Sequence, residues 1–82
     1  MEKEYFVIIR SEFKKEKIPG ENTMKLCSCE GDISSLDNKM HTKAKIVFYA
    51  SSQELKEKFK IGEKYKMVLE ERSDSYYFVK VL

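Results

Sequence analysis

Between Thr42 and Gly62 the hydrophobic pattern changes period, and this change restricts the fold more than any other feature of the chain. From Thr42 to Ala50 the alternation is strict. Ala44, Ile46, Phe48 and Ala50 fall on one face, and Lys43, Lys45, Val47 and Tyr49 on the other. A period of two with one apolar face predicts a half-buried strand. Ser51-Ser52-Gln53-Glu54 then reads as a capping box: the Ser51 hydroxyl accepts from the Glu54 N–H, and the Glu54 carboxylate reaches back to the N–H of Ser51. Ala50 and Leu55 stand where a hydrophobic staple would. Leu55 and Phe59 share a helical face, and Glu54 and Lys58 have the spacing of an ion pair. This predicts one short helix near residues 52–60, ended by Gly62.

The remaining segments read as strands. The first spans about Glu4 to Phe13 and the second about Thr23 to Cys29. They are separated by Ile18-Pro19-Gly20-Glu21, which has type II turn chemistry: proline presets φ at the second position and glycine accepts φ > 0 at the third. The two strands are expected to form an antiparallel hairpin with a charged tip, Lys14-Lys15-Glu16-Lys17. Gly31 to Met40 reads as a loop with Ile33 and Leu36 as anchors. A fourth strand, about Lys64 to Glu71, sends Tyr65, Met67 and Leu69 to the core. After the polar turn Arg72–Ser75, a fifth spans Tyr76 to Leu82. Its two apolar faces predict an inner or well-covered strand, or an apolar patch on whichever of Tyr76/Phe78 and Tyr77/Val79/Val81 is left outside.

The resulting order is β-β-β-α-β-β. It resembles the oligonucleotide/oligosaccharide-binding (OB) fold, a five-stranded Greek-key barrel with a helix between its third and fourth strands. The resemblance covers the whole chain and lies in topology alone. The expectation is one small, mainly β domain over residues 1–82 (α+β by strict count). Barrel closure would also remove the edges that a small open sheet leaves exposed.

Composition narrows the function. Charged residues make up 37% of the chain, above the usual share of about a quarter, but the net charge is only +2. The excess lies in residues 31–60, with no basic tail or block, whereas a dedicated nonspecific DNA binder is usually more strongly biased. Met1-Glu2-Lys3-Glu4 precedes an apolar run, Tyr5–Ile9, too short for a signal peptide, and no stretch is long enough for a membrane helix. Cys27 and Cys29 are too close for an unstrained disulfide, so a reduced pair and a cytoplasmic location are expected.

Chemistry is weakly signalled. Cys27, Cys29 and His41 could supply three zinc ligands, but the spacing lacks the usual Cys-x₂₋₄-Cys knuckle and a second pair, so packing cysteines and no metal are expected. His41 has no nucleophile or carboxylate placed beside it by the sequence. Asp32 and Asp37 share a loop, while Glu70 and Glu71 point to opposite faces of a strand. No phosphate-cradling glycine loop, nucleophile elbow or metalloprotease helix is present. A non-enzymatic module without cofactor or catalytic residues is expected.

The outer face of the third strand carries the functional expectation. Lys43, Lys45 and Tyr49 alternate there, Lys25 can join from the second strand, and Lys14, Lys15, Lys17 and Arg72 form rim cations. Lysines meeting phosphates and an aromatic stacking a base are the elements of single-stranded DNA or RNA binding, and the OB resemblance implies recognition on its second and third strands. Glu12, Glu16, Glu21, Glu70 and Asp74 oppose this on the same rim. The alternative is a protein-interaction or structural module: an assembly subunit, a self-associating protein or a small inhibitor, of the size a virus, mobile element or compact microbial genome encodes.

Overall fold

The structure, a computed structural model, describes residues 1–16, 26–73 and 75–82. Its elements are β1 (Glu2–Ile9), β2 (Lys14–Lys15), β3 (Cys27–Ser35), β4 (His41–Phe48), α1 (Ser52–Lys58), β5 (Lys64–Arg72) and β6 (Ser75–Val81). β1 pairs antiparallel with both β3 and β5, β5 with β6, and β3 with β4, while β4 and β6 run parallel. These pairings close a five-stranded barrel in the order β1-β3-β4-β6-β5, with β2 added outside β3. This is the OB-like Greek-key arrangement expected from the element order. The parallel β4–β6 contact is possible because α1 and β5 form a long crossover between them.

Val7, Ile9, Ile33, Ile46, Phe48, Met67 and Leu69 fill the barrel. α1 brings Leu55 and Phe59 onto this core. The Phe48 ring lies 4.9 Å from Phe78 and 5.7 Å from Phe59, and 5.4 Å from Phe13, which arrives from the segment after β1. Tyr65 meets Phe59 edge-on at 5.0 Å, and its hydroxyl accepts the Lys60 N–H beyond the helix. Ser51 caps α1 by accepting the Glu54 N–H, as expected. The Glu54 carboxylate accepts from the Ser51 hydroxyl instead of its backbone N–H, and the expected Glu54–Lys58 pair does not form. The helix ends at Lys58, and Gly62, at φ 90°, turns the chain and donates its N–H to Ile9.

Three sequence expectations are corrected. The first strand does not run on to Phe13. It ends at Ile9, and the chain leaves the sheet so that the Phe13 side chain can enter the aromatic cluster; it rejoins as β2. Gly31–Ser35 is strand, not loop. Gly31 faces the core at a point where an added Cβ would lie 2.7 Å from Ile46 Cδ1, and Asp32 faces outward to accept from Arg10. Both residues resemble loop signals because close packing and a surface ion pair use the same residue types. Ile33 is the expected anchor but Leu36 is exposed. The β3–β4 turn is held instead by the Ser35 hydroxyl, which accepts the N–H groups of Lys39 and Met40, with Asn38 at φ 63°. The expected Pro19-Gly20 turn lies outside the described residues.

β6 is central in the sheet order, but it is not well covered. It pairs with β4 only at Tyr76 and Tyr77. A bulge between Val68 and Leu69 shifts its register on β5, and Val79, Val81 and Leu82 are exposed.

Candidate functional site

Residues directly opposite one another on paired strands share a face. The registers therefore assemble one row across the outside of the barrel: Lys14 on β2, Ser28 on β3, Val47 on β4, Tyr77 on β6 and Glu70 on β5. Tyr49 is half exposed, and its ring lies 6.2 Å from Tyr77 at an interplanar angle of 31°. The Arg72 guanidinium sits 4.1 Å from the centre of the Tyr77 ring, while its Nε donates to Glu70 Oε1 at 2.7 Å. This contact lowers the Glu70 carboxyl below its ordinary value and raises Arg72. Arg72, expected on a loop rim, lies on the sheet face itself.

The neighbouring cations are unequal. Lys43 is exposed and has no ion-pair partner among the described residues. Lys45 is half-buried, with its Nζ 2.6 Å from Glu16 Oε1. The same oxygen accepts from the Ser28 hydroxyl at 2.6 Å. Bonding to Lys45, then to Ser28, holds the Glu16 carboxyl below its ordinary value. Lys14 shares the outer face with Ser28. Lys15 is opposite Cys27, whose side chain points inward, so Lys15 overhangs the barrel on the other side. Lys17 and Lys25 lie outside the described residues. Val47, expected at a solvated face, is 5% exposed in the middle of the row, and its neighbour Ser28 is 7% exposed.

The sequence did not single out Tyr77 as a site residue. Its place beside Tyr49 depends on the parallel β4–β6 register, for which neither strand carries a local signal.

The other chemical candidates are separated by the fold. Cys27 and Cys29 are free and buried, and burial pushes the Cys29 thiol up to about 12. His41 pairs with Ser34 at the far end of β3, facing outward, and no group of three metal-ligating side chains occurs among the described residues. Asp37 is engaged by the Ser35 hydroxyl and the Lys39 N–H. Asp32 pairs with Arg10 through Oδ2. No described helix is long and apolar enough to cross a membrane.

No family model, no curated protein and no solved structure matches this chain.

Proposed function

We propose that the protein is a non-enzymatic module that binds single-stranded nucleic acid on the outer face of β3, β4 and β6. The observation that carries this reading is the Tyr49–Tyr77 pair with Arg72 laid on its ring. Two adjacent aromatic side chains and a guanidinium offer flat surfaces on which a base can stack, and stacking of this kind contributes about 1–3 kcal/mol per base. Lys14, Lys43 and Lys45 supply positive charge on the same face for the phosphates. Glu16 and Glu70 offset part of it, which fits a moderate-affinity binder of single strands rather than a high-affinity packaging protein.

The test is fluorescence anisotropy with labelled single-stranded DNA and RNA at low and moderate salt. The expected result is binding whose log affinity falls with log salt at a slope of about −0.7 per phosphate contacted. Tyr49→Ala and Tyr77→Ala should weaken it while leaving the fold intact. An absence of binding at low salt, where the cations act most strongly, rules the reading out.

A second reading rests on a different observation. Val79 and Val81, along the part of β6 that lacks β4 as a neighbour, and Leu82 just after it are 40%, 47% and 55% exposed. An apolar, partly open strand edge suits self-association or a protein partner. Sedimentation of the chain over a concentration series, alone and as Val79→Lys, distinguishes a self-associating protein from a monomer.

A further inference from the structure

A groove of about 470 Å³ crosses the outside of β1, β3, β4 and β5, away from the Tyr49–Tyr77 pair. Its backbone row is Lys43, Asp32, Ile8 and Lys64, one residue from each strand. Lys43 and Lys64 are therefore three strand spacings apart, about 14 Å between backbones. Both line the groove, one from each wall. Lys64 is held over the Phe6 ring at 4.7 Å, and neither ammonium is paired with a carboxylate among the described residues. Between them Asp32 accepts from Arg10 through Oδ2, while its buried Oδ1 has no hydrogen-bond partner among the described residues; the ion pair leaves the floor close to neutral in net charge, and the walls are positive. Ser34, Asn38 and His41 also line the groove, and their side chains make no hydrogen bonds among the described residues. Half-buried Ile8 gives the floor an apolar surface.

We infer that this groove binds a phosphate monoester. A dianion with several acceptor oxygens matches two ammonium groups, a hydroxyl, an amide and an imidazole that make no ion pair or side-chain hydrogen bond among the described residues, Lys64 meeting only the face of the Phe6 ring. The volume exceeds that of a phosphate alone and falls in the range of small-ligand pockets. The ester's organic part would rest on Ile8. The groove shares Lys43 with the face proposed above but not its aromatic residues, so the inference stands independently of nucleic-acid binding. The ester can come from the 5′ end of an oligonucleotide or from a free mononucleotide.

The experiment is an NMR titration of the intact protein at constant ionic strength. The ring protons of His41, the single histidine of the chain, report on the groove directly. Three ligands are compared: adenosine monophosphate, a short oligonucleotide bearing a 5′-phosphate, and the same oligonucleotide with a 5′-hydroxyl. The expected result is a saturable shift of the His41 signals with the mononucleotide. Lys43→Ala or Lys64→Ala should weaken it about tenfold or more, the loss of one charge-assisted hydrogen bond, and Lys64→Arg should restore it. A matching shift from the phosphorylated oligonucleotide but not the hydroxyl form identifies strand ends as a source, and a shift from the mononucleotide alone identifies small molecules. His41 signals unmoved by the mononucleotide, or moved equally in both alanine variants, overturn the inference, whatever the oligonucleotides do at Tyr49 and Tyr77.

Discussion

Glu16 accepts from Lys45 Nζ and Ser28 Oγ through one oxygen, each at 2.6 Å, and so ties the segment after β2 to the outer face of β3 and β4. The same contact removes positive charge from the face proposed to bind nucleic acid. Because the carboxyl is held below its ordinary value of 4.5, the folded state favours its ionised form. The stabilisation is therefore fully present above the unfolded value and is lost as pH falls through the lower folded value. For a partly exposed surface pair such as this it amounts to less than about 1 kcal/mol. Urea unfolding measured across the acidic range should show stability decreasing in that window, and Glu16→Gln should flatten part of the decrease. The same substitution should strengthen oligonucleotide binding, since it removes one negative charge from the face.

Gly31 should not tolerate a side chain. A Cβ there would meet Ile46 Cδ1 at 2.7 Å and Val7 Cγ1 at 3.4 Å, both in the fully buried core. Overpacking of this kind costs about 1–3 kcal/mol. Chemical denaturation should place Gly31→Ala in that range. Adding Ile46→Val removes the clashing methyl, so the double variant should be more stable than the sum of the two single effects. Strict additivity would show that the strand moves to accommodate the methyl.

Phe48 and Tyr49 are adjacent but should behave in opposite ways. Phe48 is fully buried, with Phe13, Phe59 and Phe78 within 4.9–5.7 Å. Phe48→Ala should cost about 3–5 kcal/mol, a large part of the roughly 5–15 kcal/mol that holds a small domain together. Tyr49 is 50% exposed, and Tyr49→Ala should change stability by less than about 1 kcal/mol while lowering oligonucleotide affinity. Thermal melts followed by circular dichroism separate the two. A cooperative loss of structure in Tyr49→Ala would mean that its ring supports the barrel.

The thiols should be inert in the folded protein. Cys27 and Cys29 are buried, and with Cys29 pushed up to about 12 its thiolate is scarce at neutral pH. Labelling with an aromatic disulfide reagent at pH 8 should be slow in buffer and rapid in denaturant. Rapid labelling of both cysteines in buffer would show that the β2–β3 end of the barrel opens readily.

The parts of this fold legible in the sequence are those coded by neighbours along the chain. Alternation placed Ile46 and Phe48 inward and Lys43 and Tyr49 outward. Ser51 and Glu54 marked the helix start, and the single helix between the third and fourth strands was enough to suggest the Greek-key barrel. What failed depended on neighbours across the chain. Gly31 and Asp32 read as loop residues until Ile46 and Arg10 are seen beside them. The first strand ends early because Phe13 is drawn into a cluster built by residues from β4, α1 and β6. Tyr77 joins Tyr49, and Lys64 faces Lys43, only through strand registers that no local pattern records. Periodicity determines which way a side chain points, because it follows from the pleat. Which side chains meet is decided by barrel closure, because closure sets the order and stagger of strands that are distant in sequence.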